Sequence, residues 1–231
     1  MKTDFFRGVR HGIPIALGYI SVSFGFGIMA VGTGLSPLTA VMISVTNLTS
    51  AGQAAGVSVI AAGGTLAEMA LTQLIINIRY SLMGFSLSQK LSRNFGTARR
   101  MAASFGITDE IFAVASSQPH EITPSYMYGL IAAGFFGWSL GTLLGALAGQ
   151  ILPQPFTDAM GLVLYGMFLA IIIPPARRKL SVLSVVLIAA GISVLCKYAF
   201  TFLSGGFSVI ISGVAAAAAG ALLFPVKDGE V

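Results

Sequence analysis

The chain has 231 residues, of which 55% are apolar and only 9% charged, and its formal net charge is +5. A water-soluble domain carries about 25% charged residues, so this composition excludes one and describes an integral membrane protein. One cysteine, Cys196, excludes an internal disulfide framework and a thiol metal cluster, and no cofactor is expected.

Lys2, Arg7 and Arg10 precede the first apolar run, Ile13–Val31. Basic residues before a span place the N-terminus in the cytoplasm under the positive-inside rule. The opening MKTDFFRGVRHG has the character of a signal n-region. The run behind it is nevertheless long enough to span, and no small-residue cleavage site follows, so it reads as a retained first helix. Pro14 is expected in its first turn, where a missing N–H costs nothing. Gly18, Ser21 and Gly25 offer a small-residue face to a neighbouring helix.

Leu38–Ala62 follows, with Asn47, Thr49, Ser50 and Gln53 at its centre. It reads either as a full span or as two half-helices meeting at Thr49–Gln53. The basic loop Lys90, Arg93, Arg99 and Arg100 belongs in the cytoplasm. An even number of crossings must separate it from the N-terminus, and the first run with Thr65–Ser88 already makes two. The charge pattern therefore favours a broken or re-entrant element over 38–62. Irregular backbone at membrane depth is tolerated where protein or a watery cavity surrounds it.

Thr65–Ser88 carries Glu68, and presents Gln73, Asn77, Tyr80 and Gly84 on one face with Arg79 off that stripe. Arg79 lies nine residues from the inner end, about 13 Å deep at the helical rise. It either snorkels to the headgroups or serves a pathway or ligand inside the protein. In Met101–Gln118, Thr108 followed by Asp109 and Glu110 has the pattern of an N-cap and an acidic first turn. The crossing count makes 101–118 a second broken or re-entrant element. A half-helix that begins at membrane depth is also where transporters bind ions and substrates.

Tyr126–Gly149 repeats glycine at 137, 141, 145 and 149, the strongest helix-packing signal in the chain. Its partner is either another helix of the same chain or a separate subunit. Gly137-Trp138-Ser139-Leu140-Gly141 matches the G-x-S-x-G pattern, but a nucleophile elbow needs a strand–turn–helix. No enzymatic activity is expected. Asp158 is expected in the first turn of the span Ala159–Ile173, which Pro174-Pro175 would end. Leu180–Leu203 leads outward, with Lys197 near its outer end as a snorkelling residue. Phe207–Phe224 returns and ends at Lys227. The fold class is thus all-α and membrane-embedded: about six transmembrane helices, two broken or re-entrant elements, one polytopic domain over 1–231, and both termini cytoplasmic.

Three segments, Thr49-Ser50-Ala51-Gly52-Gln53, Asn77-Ile78-Arg79-Tyr80-Ser81-Leu82-Met83-Gly84 and Thr108-Asp109-Glu110-Ile111-Phe112, occur in the order and spacing of one family. The chain resembles the AzlC-type large subunit of bacterial branched-chain amino acid exporters from Phe6-Arg7-Gly8 onward. That family's pattern has N-x-R-H followed by L-Y-G; Tyr80 and Met83 stand in place of the histidine and tyrosine. The resemblance implies leucine, isoleucine, valine and sometimes methionine as substrates. It also implies a small AzlD-type membrane subunit and a bacterial cytoplasmic membrane.

The residues fit such a cargo. Asn47, Thr49, Ser50, Gln53, Asn77 and Arg79 are the expected substrate-binding set, with backbone N–H groups at the break and Arg79 receiving the carboxylate. Asp109 and Glu110 are expected to meet the ammonium, or to carry a coupling proton if a low-dielectric site raises the pKa. The Gly137–Gly149 face is the expected dock of the small subunit. The alternatives are a passive channel lined by the re-entrant elements and an accessory subunit without transport of its own.

Overall fold

The computed structural model describes residues 2–153, 155, 159, 166, 169, 172–200 and 202–225. The described elements are all helical: α1 (Lys2–Gly32), α2 (Pro37–Thr46), α3 (Ala51–Ala61), α4 (Leu66–Ser88), α5 (Thr97–Ser104), α6 (Asp109–Ser116), α7 (Pro124–Ala148), α8 (Leu180–Ala199) and α9 (Gly205–Leu223). Four of them, α1, α7, α8 and α9, are long and apolar enough to cross a membrane by length and composition. The chain groups into two compact units, one of residues 1–54 and 77–164, the other of residues 55–76 and 165–231.

The first unit is built on α1 and α7. A Cβ added at Gly137 would lie 2.6 Å from the Ala16 carbonyl oxygen, and one at Gly141 would lie 2.5 Å from that of Ile20. Gly145 meets the Phe24 backbone and Gly149 meets Ile28 and Val31 in the same way. From the other side, Gly8 meets Tyr126, Gly12 meets Leu130 and Ala133, and Gly27 meets Thr142 and Ala146. Residue numbers rise together on both helices, so α1 and α7 run parallel with their backbones in contact. Such closeness replaces the missing hydrophobic drive in lipid with dispersion and Cα–H···O contacts.

This corrects three expectations. The glycine row of α7 is covered by α1 of the same chain and is not a surface for a separate subunit. Gly18 has open space around it and Ser21 is exposed; the contact row of α1 is Gly8, Gly12, Ala16, Ile20, Phe24 and Gly27. The helix also begins at Lys2, because the early glycines pack on the first turns of α7. Pro14 consequently lies inside α1, where it removes one backbone bond, a defect that membrane helices accommodate.

The short helices are defined by their ends. Ser36 caps α2 by accepting from the Thr39 N–H at 3.1 Å, with Pro37 in the first turn. α2 has 10 residues and α3 has 11, about 15 Å each against a hydrocarbon core of about 30 Å. The chain therefore breaks within 47–50, as the polar centre of this segment predicts. α5 and α6, with 8 residues each, divide 101–118 in the same manner. Two parallel spans need an odd number of crossings between them. The 23-residue α4 is the longest described helix between them.

Basic side chains secure the loop after α4. Lys90 Nζ donates to the Ser116 and Gln118 carbonyls at the end of α6, where the helix dipole favours a cation. Ser92 N–H donates to the Ile122 carbonyl at 3.0 Å, and Ile122 N–H donates to that of Lys90 at 2.9 Å. In the second unit α8 packs on α9, where Gly220 faces Val185. Residues 172–178 are helical and the Lys179 N–H reaches the Pro175 carbonyl at 2.9 Å. Pro174-Pro175 thus lies within helix; proline loses a donor but keeps its acceptor, so a turn can follow it. Asp158, Lys227 and most of Ala159–Ile173 lie outside the described residues.

The α1–α7 contact predicts a sharp asymmetry between glycines. Gly141→Leu must push α1 away and should cost about 1–3 kcal/mol, read as a lower unfolding temperature in detergent. Gly18→Leu, with open space around it, should stay within about 0.5 kcal/mol of the parent.

Candidate functional site

The charged cluster lies where α6 begins. Thr108 has extended backbone and its hydroxyl accepts from the Ile111 N–H at 3.3 Å. Asp109 and Glu110 follow in the first turn, where the helix dipole stabilises carboxylates. From α4, Arg79 places Nη1 at 2.9 Å from Asp109 Oδ2 and 3.1 Å from Oδ1. Its Nη2 donates to the Tyr80 hydroxyl at 3.3 Å, and the guanidinium stacks over the Tyr80 ring. Arg79 is therefore turned into the protein, toward an acid, rather than toward headgroups. The two side chains are 38% and 30% exposed, so the pair is closed but reachable.

Glu110 is held separately. Tyr19 of α1 donates its single proton to Glu110 Oε2 at 2.6 Å and lies 2.5 Å from Thr108 Oγ1. With that proton committed, Thr108 must donate to Tyr19, giving a chain Thr108→Tyr19→Glu110. Tyr19 is buried and packs edge-on against Trp138 of α7, with ring centroids 5.2 Å apart. The acid pair is thus divided: Asp109 carries an ion pair and Glu110 a hydroxyl chain.

The break between α2 and α3 is a second polar group in the same unit. Asn47 Oδ1 accepts from Thr49 Oγ1 at 2.8 Å. Ser50 has φ of +40°, a region that costs a residue with a Cβ about 1–2 kcal/mol. Gln53 is buried and used at both ends: Oε1 accepts from the Ser50 N–H at 3.2 Å, and Nε2 donates to Ser44 Oγ at 3.0 Å. Ser44 in turn bonds Thr142 of α7 at 2.8 Å. Gln53 therefore ties the strained turn to the glycine-packed core. The N–H groups of Thr49, Ser50 and Gly52 are also engaged within the turn, so a carboxylate would have to find its donors elsewhere.

An apolar cavity of about 190 Å³ lies in the same unit. Gly84, Leu87, Phe95, Ile107 and Met127 line it, with Arg100 among its polar groups. Ile107 stands two residues before Asp109, and Gly84 lies five residues beyond Arg79 on α4.

The structure brings Arg79, Asp109 and Glu110 to one end of α6 and keeps Asn47, Thr49, Ser50 and Gln53 together at the α2–α3 turn. Asn77 is half-buried on α4, two residues before Arg79. Tyr19, Ser44 and Thr142 were not singled out by sequence, since each is a lone polar group in an apolar helix. The cost of a buried hydroxyl without a partner is the signal that flags them. Gly137–Gly141, with Ser139 between, lies inside unbroken α7, so no nucleophile elbow forms there. Lys197 sits over the Tyr198 ring. Among the described residues, no three His, Cys, Asp or Glu side chains gather as a metal site.

Residues 14–152 match the AzlC protein family. The chain is 30% identical to the inner membrane protein YgaZ of Escherichia coli over 187 residues, covering 78% of this chain and 76% of the relative. It is 28% identical to a membrane protein of Archaeoglobus fulgidus over 181 residues, covering 77% and 79%. A membrane protein of Helicobacter pylori is 24% identical over 172 residues, covering 73% and 74%. No solved structure matches.

Tyr19→Phe removes the donor to a charged acceptor and should cost about 1.5–3 kcal/mol. Thermal unfolding of the purified protein in detergent would show the loss. Phe6→Leu, on the exposed side of α1, should leave the unfolding temperature unchanged.

Proposed function

The chain belongs to the AzlC family of membrane proteins, and on that basis we propose that it is the large subunit of a two-component branched-chain amino acid exporter. The observation that carries this reading is the Arg79–Asp109 ion pair, in a unit that also holds an apolar cavity further along α4. An α-amino acid zwitterion presents a carboxylate and an ammonium on one carbon. It can insert by giving its carboxylate to the Arg79 fork and its ammonium to Asp109. Each half-buried charge then exchanges one partner for another, which avoids the cost of leaving either unpaired. The cavity lined by Leu87, Phe95, Ile107 and Met127 suits a branched aliphatic side chain, and its apolar lining disfavours polar ones.

Proton coupling follows the division between the acids. Asp109 exchanges partners with the cargo, while Glu110, on its hydroxyl chain, takes and releases the proton that drives export. The small AzlD-type subunit docks on a face other than the glycine row. The family and the relative in Escherichia coli support a cytoplasmic membrane setting; both termini then face the cytoplasm, with six crossings and two returning pairs.

Leucine efflux from exporter-deficient cells preloaded with a leucine-containing dipeptide tests this assignment. Efflux should require this chain together with the small subunit, and a protonophore should abolish concentrative efflux; persistence of that efflux would point to a passive channel. Arg79→Ala and Asp109→Asn should each lower efflux at least about tenfold, the loss of one charge-assisted contact to the cargo. Glu110→Gln with intact proton coupling would remove that residue from the mechanism. Gly84→Leu, which narrows the apolar cavity, should reduce leucine efflux more than valine efflux. Equal losses would exclude the cavity as the side-chain pocket.

A further inference from the structure

The turn and short helix that follow α4 carry positive charge that no acid of the protein answers. Arg93, Arg99 and Arg100 are exposed, and among the described residues no Asp or Glu lies within ion-pair distance of any of them. Arg99 Nη1 donates to the Asn94 carbonyl at 2.8 Å, and Arg100 Nε donates to the Phe95 carbonyl at 2.9 Å. Two guanidinium groups are thus drawn back to consecutive carbonyls, with Arg93 one residue before the first. Like charges gathered on one turn repel each other unless an anion sits among them.

Contacts with α7 give the segment 97–106 a direction. Tyr128 Oη donates to the Arg99 carbonyl at 3.1 Å, Gly106 packs against Ile131, and the Phe105 ring centroid lies 6.3 Å from that of Phe135. On α7 these partners follow Pro124 at roughly 6, 10 and 16 Å along the helix axis. The segment therefore descends from the headgroup level, where α7 begins, into the depth of the hydrocarbon. Its arginines stay at the top. Met101 and Phe105, with Phe136 of α7, form an exposed apolar row below them.

We infer that this face binds one anionic phospholipid of the bilayer, with its phosphate held by Arg99 and Arg100 and its acyl chains lying along Met101, Phe105 and Phe136. Guanidinium groups take phosphate through paired, charge-assisted hydrogen bonds. Any basic side chain at a membrane surface attracts anionic lipid. What marks a site here is the fixing of two such side chains by backbone bonds directly above an apolar row. A soluble phosphate ester would have no use for that row, which lies at the depth of lipid tails.

Purified protein in a neutral detergent, titrated with phosphatidylglycerol or with phosphatidylcholine of the same acyl chains, tests this by native mass spectrometry and thermal unfolding. One phosphatidylglycerol should be retained per chain and should raise the unfolding temperature saturably. Phosphatidylcholine and glycerol phosphate at the same concentration should do neither. Arg99→Gln combined with Arg100→Gln should raise the half-saturating lipid concentration at least about tenfold. Arg93→Gln breaks no hydrogen bond among the described residues, so it should fold normally and raise that concentration about threefold. Arg178→Gln, which removes an exposed cation of the second unit, should leave it unchanged. Equal retention of phosphatidylcholine, an equal response to glycerol phosphate, or an equal loss in Arg178→Gln would overturn the site. So would an affinity unchanged in both Arg93→Gln and the double variant. No transported cargo enters these measurements, so this site and the amino acid assignment stand or fall separately.

Discussion

The contact on which the first unit depends is the approach of α1 to α7 along their backbones. Lipid tails are as apolar as leucine, so burial of hydrocarbon gives two helices little reason to associate in a bilayer. What remains is close packing, and close packing needs side chains removed. Glycines alternate between the partners: Gly8, Gly12 and Gly27 on α1, Gly129, Gly137, Gly141 and Gly145 on α7. Because the contact is parallel, the chain between the two helices must come back across the bilayer before α7 begins. Among the described helices between them, α4 is the longest. The polar groups then take their places by reference to this pair, with Tyr19 of α1 holding the acid turn and Thr142 of α7 holding the strained turn through Ser44 and Gln53.

The chemistry of the candidate site rests on a matched pair rather than on an isolated charge. A lone arginine at membrane depth must pull water or headgroups toward itself. Arg79 instead faces Asp109 at 2.9 Å and lies over Tyr80, so the resting protein already contains an internal imitation of an amino acid's two charges. On the proposed function, a cargo of the same polarity would replace it without net transfer of charge into the low-dielectric region. Tyr80 supplies a hydroxyl and a ring face to the guanidinium, roles for which a phenol is well suited.

Much of this could be read from the residues. Polarity at 47–53 in an apolar run implied a break, and Thr108-Asp109-Glu110 spelled a helix start; both are local signals. The glycine row of α7 announced a close neighbour. Which neighbour it was depended on contacts between residues more than a hundred positions apart, which no local pattern encodes. The helix α1 starts well before the apolar run Ile13–Val31, because Gly8 and Gly12 already carry the packing spacing. The engagement of Gln53 at both ends was also out of reach, since the same glutamine in a turn can face a ligand or the core.

The parallel pairing also sets an order of events during biosynthesis. The surface of α1 that ends up against α7 is finished early, yet its partner is about 120 residues further along, roughly 6–24 s of translation at 5–20 residues per second. During that interval α1 lies in the bilayer with Gly8, Gly12 and Gly27 presented to lipid or to whatever helix passes. A foreign helix with small residues at the same spacing could occupy the groove before α7 emerges. Assembly of this chain is therefore sensitive to the pace of elongation between Gly32 and Pro124, and slow codons in that stretch would lengthen the exposure without altering any residue of the finished protein.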